Sequence, residues 1–277
     1  MRKRFDILIA SACLAILAGA AWQLLSPHEP VYQGKRLSNW LEQFSTNHWG
    51  KFNSTEDKEA ASAIRQIGTN ALPVMLKLMS KRDSRLTQKL MDFLPRLWVS
   101  RRQDVLWGRR RLGATGFVAL GPIARPAVPA LMTLANDRDR GVRYHAVYAL
   151  GHLGSAAQPA VPLLIGRLTD SSVTTRRHAM FGLAAIHLEP ELVVPVMSEY
   201  ASDHGADVVM RWAAIQGLGN FGAQAKAAIP VLVRLLSDQG ETIRSVATNS
   251  LPMIDREAAV QASVERNAGT DHAPFEW

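Results

Sequence analysis

One spacing constrains this chain more than any other feature. Prolines stand at Pro129, Pro162, Pro195 and Pro230, at intervals of 33, 33 and 35 residues. Nineteen residues before each stands an arginine (Arg110, Arg143, Arg176 and Arg211), and a fifth, Arg244, follows 33 residues further on. A period of this length marks a supersecondary unit that cannot bury its apolar face alone and stacks on copies of itself. Counted from each arginine, position +3 is small: Gly113, Ala146, Ala179, Ala214 and Ala247. Position +7 holds Phe117, Leu150, Leu183, Leu218 and Leu251, and +10 holds Leu120, Leu153, Ile186, Phe221 and Ile254. These offsets share one face of an α-helix. Small residues let a neighbouring helix approach, and large ones fill the space behind.

At +11 come Gly121, Gly154, His187, Gly222 and Asp255. Glycine there suits the left-handed residue that ends a helix. Each proline follows a β-branched residue at +18. Proline in a first turn loses no intrahelical bond, so a second helix is expected from near +16. Asp139, Asp170, Asp207 and Asp238 fall just before the next first helix, where a carboxylate caps free N–H groups. The unit therefore reads helix, turn, helix, loop, and the fold class is all-α, an α-α superhelix.

The T-P-L-H signature of ankyrin repeats and the aromatic positions of tetratricopeptide repeats are missing. VRYHAVYALGHLGSAAQPAVPLLIGRL (142–168) and VMRWAAIQGLGNFGAQAKAAIPVLVRLL (209–236) instead resemble short bacterial HEAT repeats, the type seen in phycobilisome-lyase-like proteins. The resemblance covers 107–267, and a shorter unit, EAASAIRQIGTNALPVMLKLM (59–79), starts the array. With its apolar N-terminal run, the layout resembles anchored bacterial HEAT-repeat proteins. The resemblance implies a HEAT-like solenoid that acts as a protein-protein interaction scaffold, and no enzyme. The last unit carries Ser263, Glu265 and Arg266 where others are apolar, the polar face a terminal cap needs.

Charge is concentrated in one place. Residues 81–111 hold ten cations and three aspartates, so +7 of the chain's net +8 lies there. Arg101, Arg102 and Arg109, flanked by Trp98 and Trp107, are the candidate binding residues for an acidic protein or an anionic headgroup. The competing expectation is a solvated face over an extra buried helix, with both tryptophans in the core. Basic residues interleaved with aromatics also suit nucleic acid, but an exported domain makes that partner unexpected. The ladder Arg110, Arg143, Arg176, Arg211 and Arg244 is expected to be structural, each guanidinium pairing with an aspartate near a neighbouring helix start.

His145 and His178 occupy the same place in adjacent units, but no third ligand accompanies them, so no metal is expected. Two HEAT-like enzyme classes give the alternative function, bilin lyases and deoxyhypusine hydroxylases. The hydroxylases bind iron through His-Glu pairs, whereas the one such pair here, His28-Glu29, lies in the lead-in. No nucleophile elbow, phosphate loop or H-E-x-x-H occurs, and no cofactor is expected. The lone Cys13 excludes an intrachain disulfide framework.

Arg2, Lys3 and Arg4 precede an apolar run at 7–25, long enough as a helix to cross a bilayer. It reads as an uncleaved transmembrane anchor, or as a signal peptide cut after Ala18-Gly19-Ala20. Ala10-Ser11-Ala12-Cys13 is a poorer lipobox, with Asp6 in the way. Either main reading puts the rest of the chain outside the cytoplasm, in the periplasm or secreted. The expected organisation is signal anchor or signal peptide 1–29, lead-in linker with a short helix 30–56, solenoid 57–267 with the basic insertion 81–109, and tail 268–277.

Overall fold

The structure is a computed structural model that describes residues 29–44, 54–80 and 96–270. The apolar run 7–25, the first half of the basic insertion and residues 271–277 lie outside the described residues. So do the side chains of Trp98, Arg101 and Arg102.

The lead-in forms a two-stranded antiparallel hairpin, β1 (Val31–Tyr32) and β2 (Lys35–Arg36), followed by α1 (Leu37–Gln43). It is more than a linker. Leu37, Trp40, Leu41 and Phe44 are buried, and the Trp40 indole donates to the Tyr32 carbonyl at 3.2 Å. Helix pairs then succeed one another: α2 (Thr55–Ile67) with α3 (Leu72–Met79), α4 (Arg96–Leu120) with α5 (Val128–Ala135), and α6 (Arg140–Gly151) with α7 (Val161–Arg167). They continue as α8 (Val173–Ile186) with α9 (Pro190–Ser202), α10 (Val208–Phe221) with α11 (Ile229–Leu235), and α12 (Glu241–Ile254) with α13 (Arg256–Thr270). The described chain is a mostly helical solenoid.

The core lies along the expected face. All +7 residues are buried, as are the alanines at +3. Small residues there do set the spacing. A Cβ on Gly113 would lie 2.7 Å from the Met75 carbonyl oxygen, and one on Gly151 would lie 2.9 Å from the Gly182 Cα. First helices of successive units therefore pack backbone to backbone. Gly68, Gly121 and Gly222 end first helices at φ +62°, +53° and +54°, and Gly154, two residues past the C-cap His152 of α6, has φ +57°, the left-handed region where a Cβ is penalised.

The second helix differs from the expectation near its start. In four units a 3₁₀ segment comes first: Gly68–Ala71, Gly121–Ala127, Gly154–Ala160 and Gly222–Ala228. In the last three of these the α-helix starts only at Val128, Val161 or Ile229, with Pro129, Pro162 or Pro230 in its first turn. Alanines three apart (Ala157 and Ala160, Ala225 and Ala228) are buried in these segments, as the three-residue period of a 3₁₀ turn allows. Pro195 breaks the pattern. It sits inside α9, because that helix begins five residues earlier at Pro190.

From Arg96 onward, the basic insertion and the first helix of the next unit are one element, since α4 runs unbroken for 25 residues. The stretch 105–135 has the length and hydropathy of a membrane span. Gly121 breaks it, however, and Phe117, Leu120 and Leu131 on it are buried against neighbouring helices.

Candidate binding face

The arginine ladder ties each unit to the next. Arg110 makes a two-pronged bond to Asp139 at 3.0 and 2.9 Å, Arg143 grips Asp170 at 2.8 and 3.1 Å, and Arg211 meets Asp238 at 2.6 Å. Burial alone would raise the carboxyls of Asp139, Asp170 and Asp238. The arginine hydrogen bonds and charge outweigh it and hold all three below the ordinary value.

Two rungs depart from the expected pairing. Arg176 donates to the Asp170 carbonyl at 2.7 Å, and the neighbouring Arg177 takes Asp207 at 3.0 and 2.6 Å. Arg244 likewise donates only to main chain, to the carbonyls of Asp238 and Gln239. The aspartates also divide. Asp139 and Asp207 cap α6 and α10 through two backbone N–H groups each, as expected. Asp170 and Asp238 stand two residues further out and accept from Ser172 and Gly240 instead.

The opposite face of the first helices, positions +1 and +5, carries a row of rings. Trp107 stacks on Tyr144 with centroids 5.1 Å apart and planes 16° apart. His178 stands edge-on to Tyr144 at 5.0 Å, and Tyr148 lies over His152 at 4.3 Å. Phe181 meets the edge of Trp212 at 6.1 Å. Trp107 is 42% exposed, so the expectation that it belongs to the core is wrong. Its helix precedes the closely packed part of the unit, and it covers the ring of Tyr144.

Two grooves follow this row. The first, of about 610 Å³, lies between α6 and α8 over Tyr144, Tyr148, His152, His178 and Phe181. The second, of about 490 Å³, lies between α10 and α12 and is lined by Trp212, Gln216, Asn220, Ser245 and Asn249. The aromatic pair Phe181 and Trp212 joins them. Of the sequence-chosen binding residues, Arg109 is exposed on α4 and Trp107 lies on this row. Of the residues that build the two grooves, His178 alone was singled out from sequence, and there as a candidate metal ligand and not as part of a binding face. The signal was present nonetheless: aromatics stand at +1 and +5, positions the amphipathic pattern assigns to solvent.

His145 is buried against Trp107 and Tyr144, its Nδ1 2.6 Å from the Gly141 carbonyl and its Nε2 without a hydrogen-bond partner. Burial pushes its pKa down to about 4, so it is neutral at physiological pH. Burial lowers His152 too. Among the described residues, no group of three His, Cys, Asp or Glu gathers as a metal site would require.

A family model described as HEAT repeats matches residues 117–184, 161–252 and 194–273. No curated protein matches the chain in sequence. Among solved structures it is similar to an archaeal HEAT-like repeats protein from Thermococcus onnurineus, at 16% identity over 82% of each chain with a TM-score of 0.42. It is also similar to a chain in the CpcE–CpcF complex of phycocyanin lyase from Nostoc. That match has 25% identity over 55% of this chain and 92% of that one, with a TM-score of 0.40. A computationally designed armadillo repeat protein for modular peptide recognition matches at 18% identity over 82% and 99%, with a TM-score of 0.46.

Proposed function

Because the chain belongs to the HEAT-repeat family, we propose that it is a non-catalytic scaffold that holds a protein or peptide on the exposed face of its first helices. The observation that carries this reading is the ring row over its two joined grooves. A stacked array supplies a long continuous surface, and partly exposed aromatics are the side chains that dominate interface energies.

The proposal includes a membrane tether. The apolar run 7–25 after Arg2, Lys3 and Arg4 supports an anchor with the array outside the cytoplasm. A reporter fused after Trp277 is expected to be active outside the cytoplasm and silent inside it.

The binding reading is tested by affinity capture with the full chain from detergent-solubilised host membranes, followed by mass spectrometry. Tyr148→Ala with Phe181→Ala clears the groove and leaves the +3, +7 and +10 core intact. The pair is expected to lose the captured partner while staying folded, with a lowered melting temperature because both rings also pack against the core. Retention of the same partner by a folded double variant would show that the ring row is not the site.

A further inference from the structure

The ring row is not electrically uniform along its length. Trp107 and Arg111 are four residues apart on α4, and Arg140 and Tyr144 are four apart on α6. Each arginine therefore shares a helix face with one member of the Trp107–Tyr144 stack. Arg111 and Arg140 are both exposed, and neither has an ion pair among the described residues. Of the other arginines nearby, Arg110 is committed to Asp139, and Arg177, which lines the first groove, to Asp207. At the far end the sign reverses, since Glu241 lines the second groove. The ring row thus carries, at its Trp107–Tyr144 end, two exposed cations without an ion pair among the described residues, and a carboxylate at the other end.

Resting on the scaffold reading of this face, we propose that its ligand is an extended acidic peptide segment. One aromatic or branched side chain fills the recess over Tyr148, His178 and Phe181. Carboxylates N- or C-terminal to that anchor meet Arg111 and Arg140, and the acidic run stops short of Glu241. Complementary charge of this kind selects partners and sets register, while the apolar anchor supplies the affinity.

The geometry disfavours the other anionic partners. A bilayer surface is flat and does not enter a recess between two helices. Nucleobases need open ring faces to stack on, and the Trp107–Tyr144 stack closes one face of each of the two rings beside the cations.

The test is selection of random phage-displayed peptides on the full chain in detergent. Enrichment of glutamate and aspartate beside a single aromatic or branched residue is the expected result. Replacing the acids of a selected peptide by glutamine should weaken binding about tenfold or more at low salt, and added salt should narrow that gap. Arg111→Glu with Arg140→Glu changes only exposed side chains. It should remove the preference for acid while binding still depends on Tyr148 and Phe181. Selected peptides that bind at Tyr148 and Phe181 but are neutral or basic would overturn this inference and leave the scaffold reading standing. Failure to enrich any peptide sensitive to Tyr148→Ala with Phe181→Ala would overturn both. Binding of phosphatidylglycerol vesicles or single-stranded DNA through Arg111 and Arg140, in place of peptide, would also overturn it.

Discussion

The unit of α8 and α9 and the unit of α10 and α11 share a period but are built differently. In the second, Gly222 ends the first helix in the left-handed region, a 3₁₀ segment follows, and Pro230 opens a short second helix. In the first, His187 takes the left-handed position at φ +37° and Glu189 repeats it at +58°. Pro190 then starts a helix of 13 residues directly. The rung that reaches the next unit moves from the expected Arg176 to Arg177. A repeat thus conserves which residues face the core and tolerates changes in how its helices are joined, because the core face carries most of the burial.

The ladder offers the largest test of this comparison. Arg211 and Asp238 are buried together, so Arg211→Ala leaves a buried carboxylate without its guanidinium. The expected cost is about 3–5 kcal/mol in chemical denaturation. Arg176→Ala gives up one bond to a carbonyl and should cost about 1 kcal/mol. Equal costs would mean that the shifted rung is structurally equivalent to the others.

Acid should next separate α6 from its neighbours. The His145 pKa falls from the ordinary 6.5 to about 4 in the folded protein. The unfolded chain therefore takes the proton first. Stability is full above about pH 6.5 and declines as pH falls toward 4, by up to about 3 kcal/mol. His145→Gln should flatten that decline in melting experiments across the same range. An unchanged slope would assign the acid sensitivity to other groups.

The smallest effect concerns the helix ends. A Cβ in the left-handed region costs roughly 1 kcal/mol. His187→Gly should therefore raise stability by about that amount, and Gly222→Ala should lower it by about as much. If His187→Gly destabilises, its Nδ1 contact with the Ala185 carbonyl outweighs the backbone strain.

Much of the fold was legible because it follows from spacing along a single helix. Phe117, Leu150, Leu183, Leu218 and Leu251 are all buried, as their common offset implied. The candidate binding face was harder to see. Trp107 was chosen for its place in a charge cluster, whereas its role comes from the ring of Tyr144, 37 residues away in sequence and 5.1 Å in space. Arg111 and Arg140 looked like any solvated cations until α4 and α6 were set side by side.

The sequence by itself determined the period, the core face and where most first helices end. All of these depend on local backbone preference and on which side chains share one helix face. Only the tertiary structure decided that Arg177 rather than Arg176 reaches Asp207, that a 3₁₀ segment precedes four of the second helices, and that rings from four successive first helices form one row. Those outcomes depend on the rotation and separation of neighbouring helices. Contacts such as Gly151 against Gly182 set that rotation and separation, and no single helix contains them.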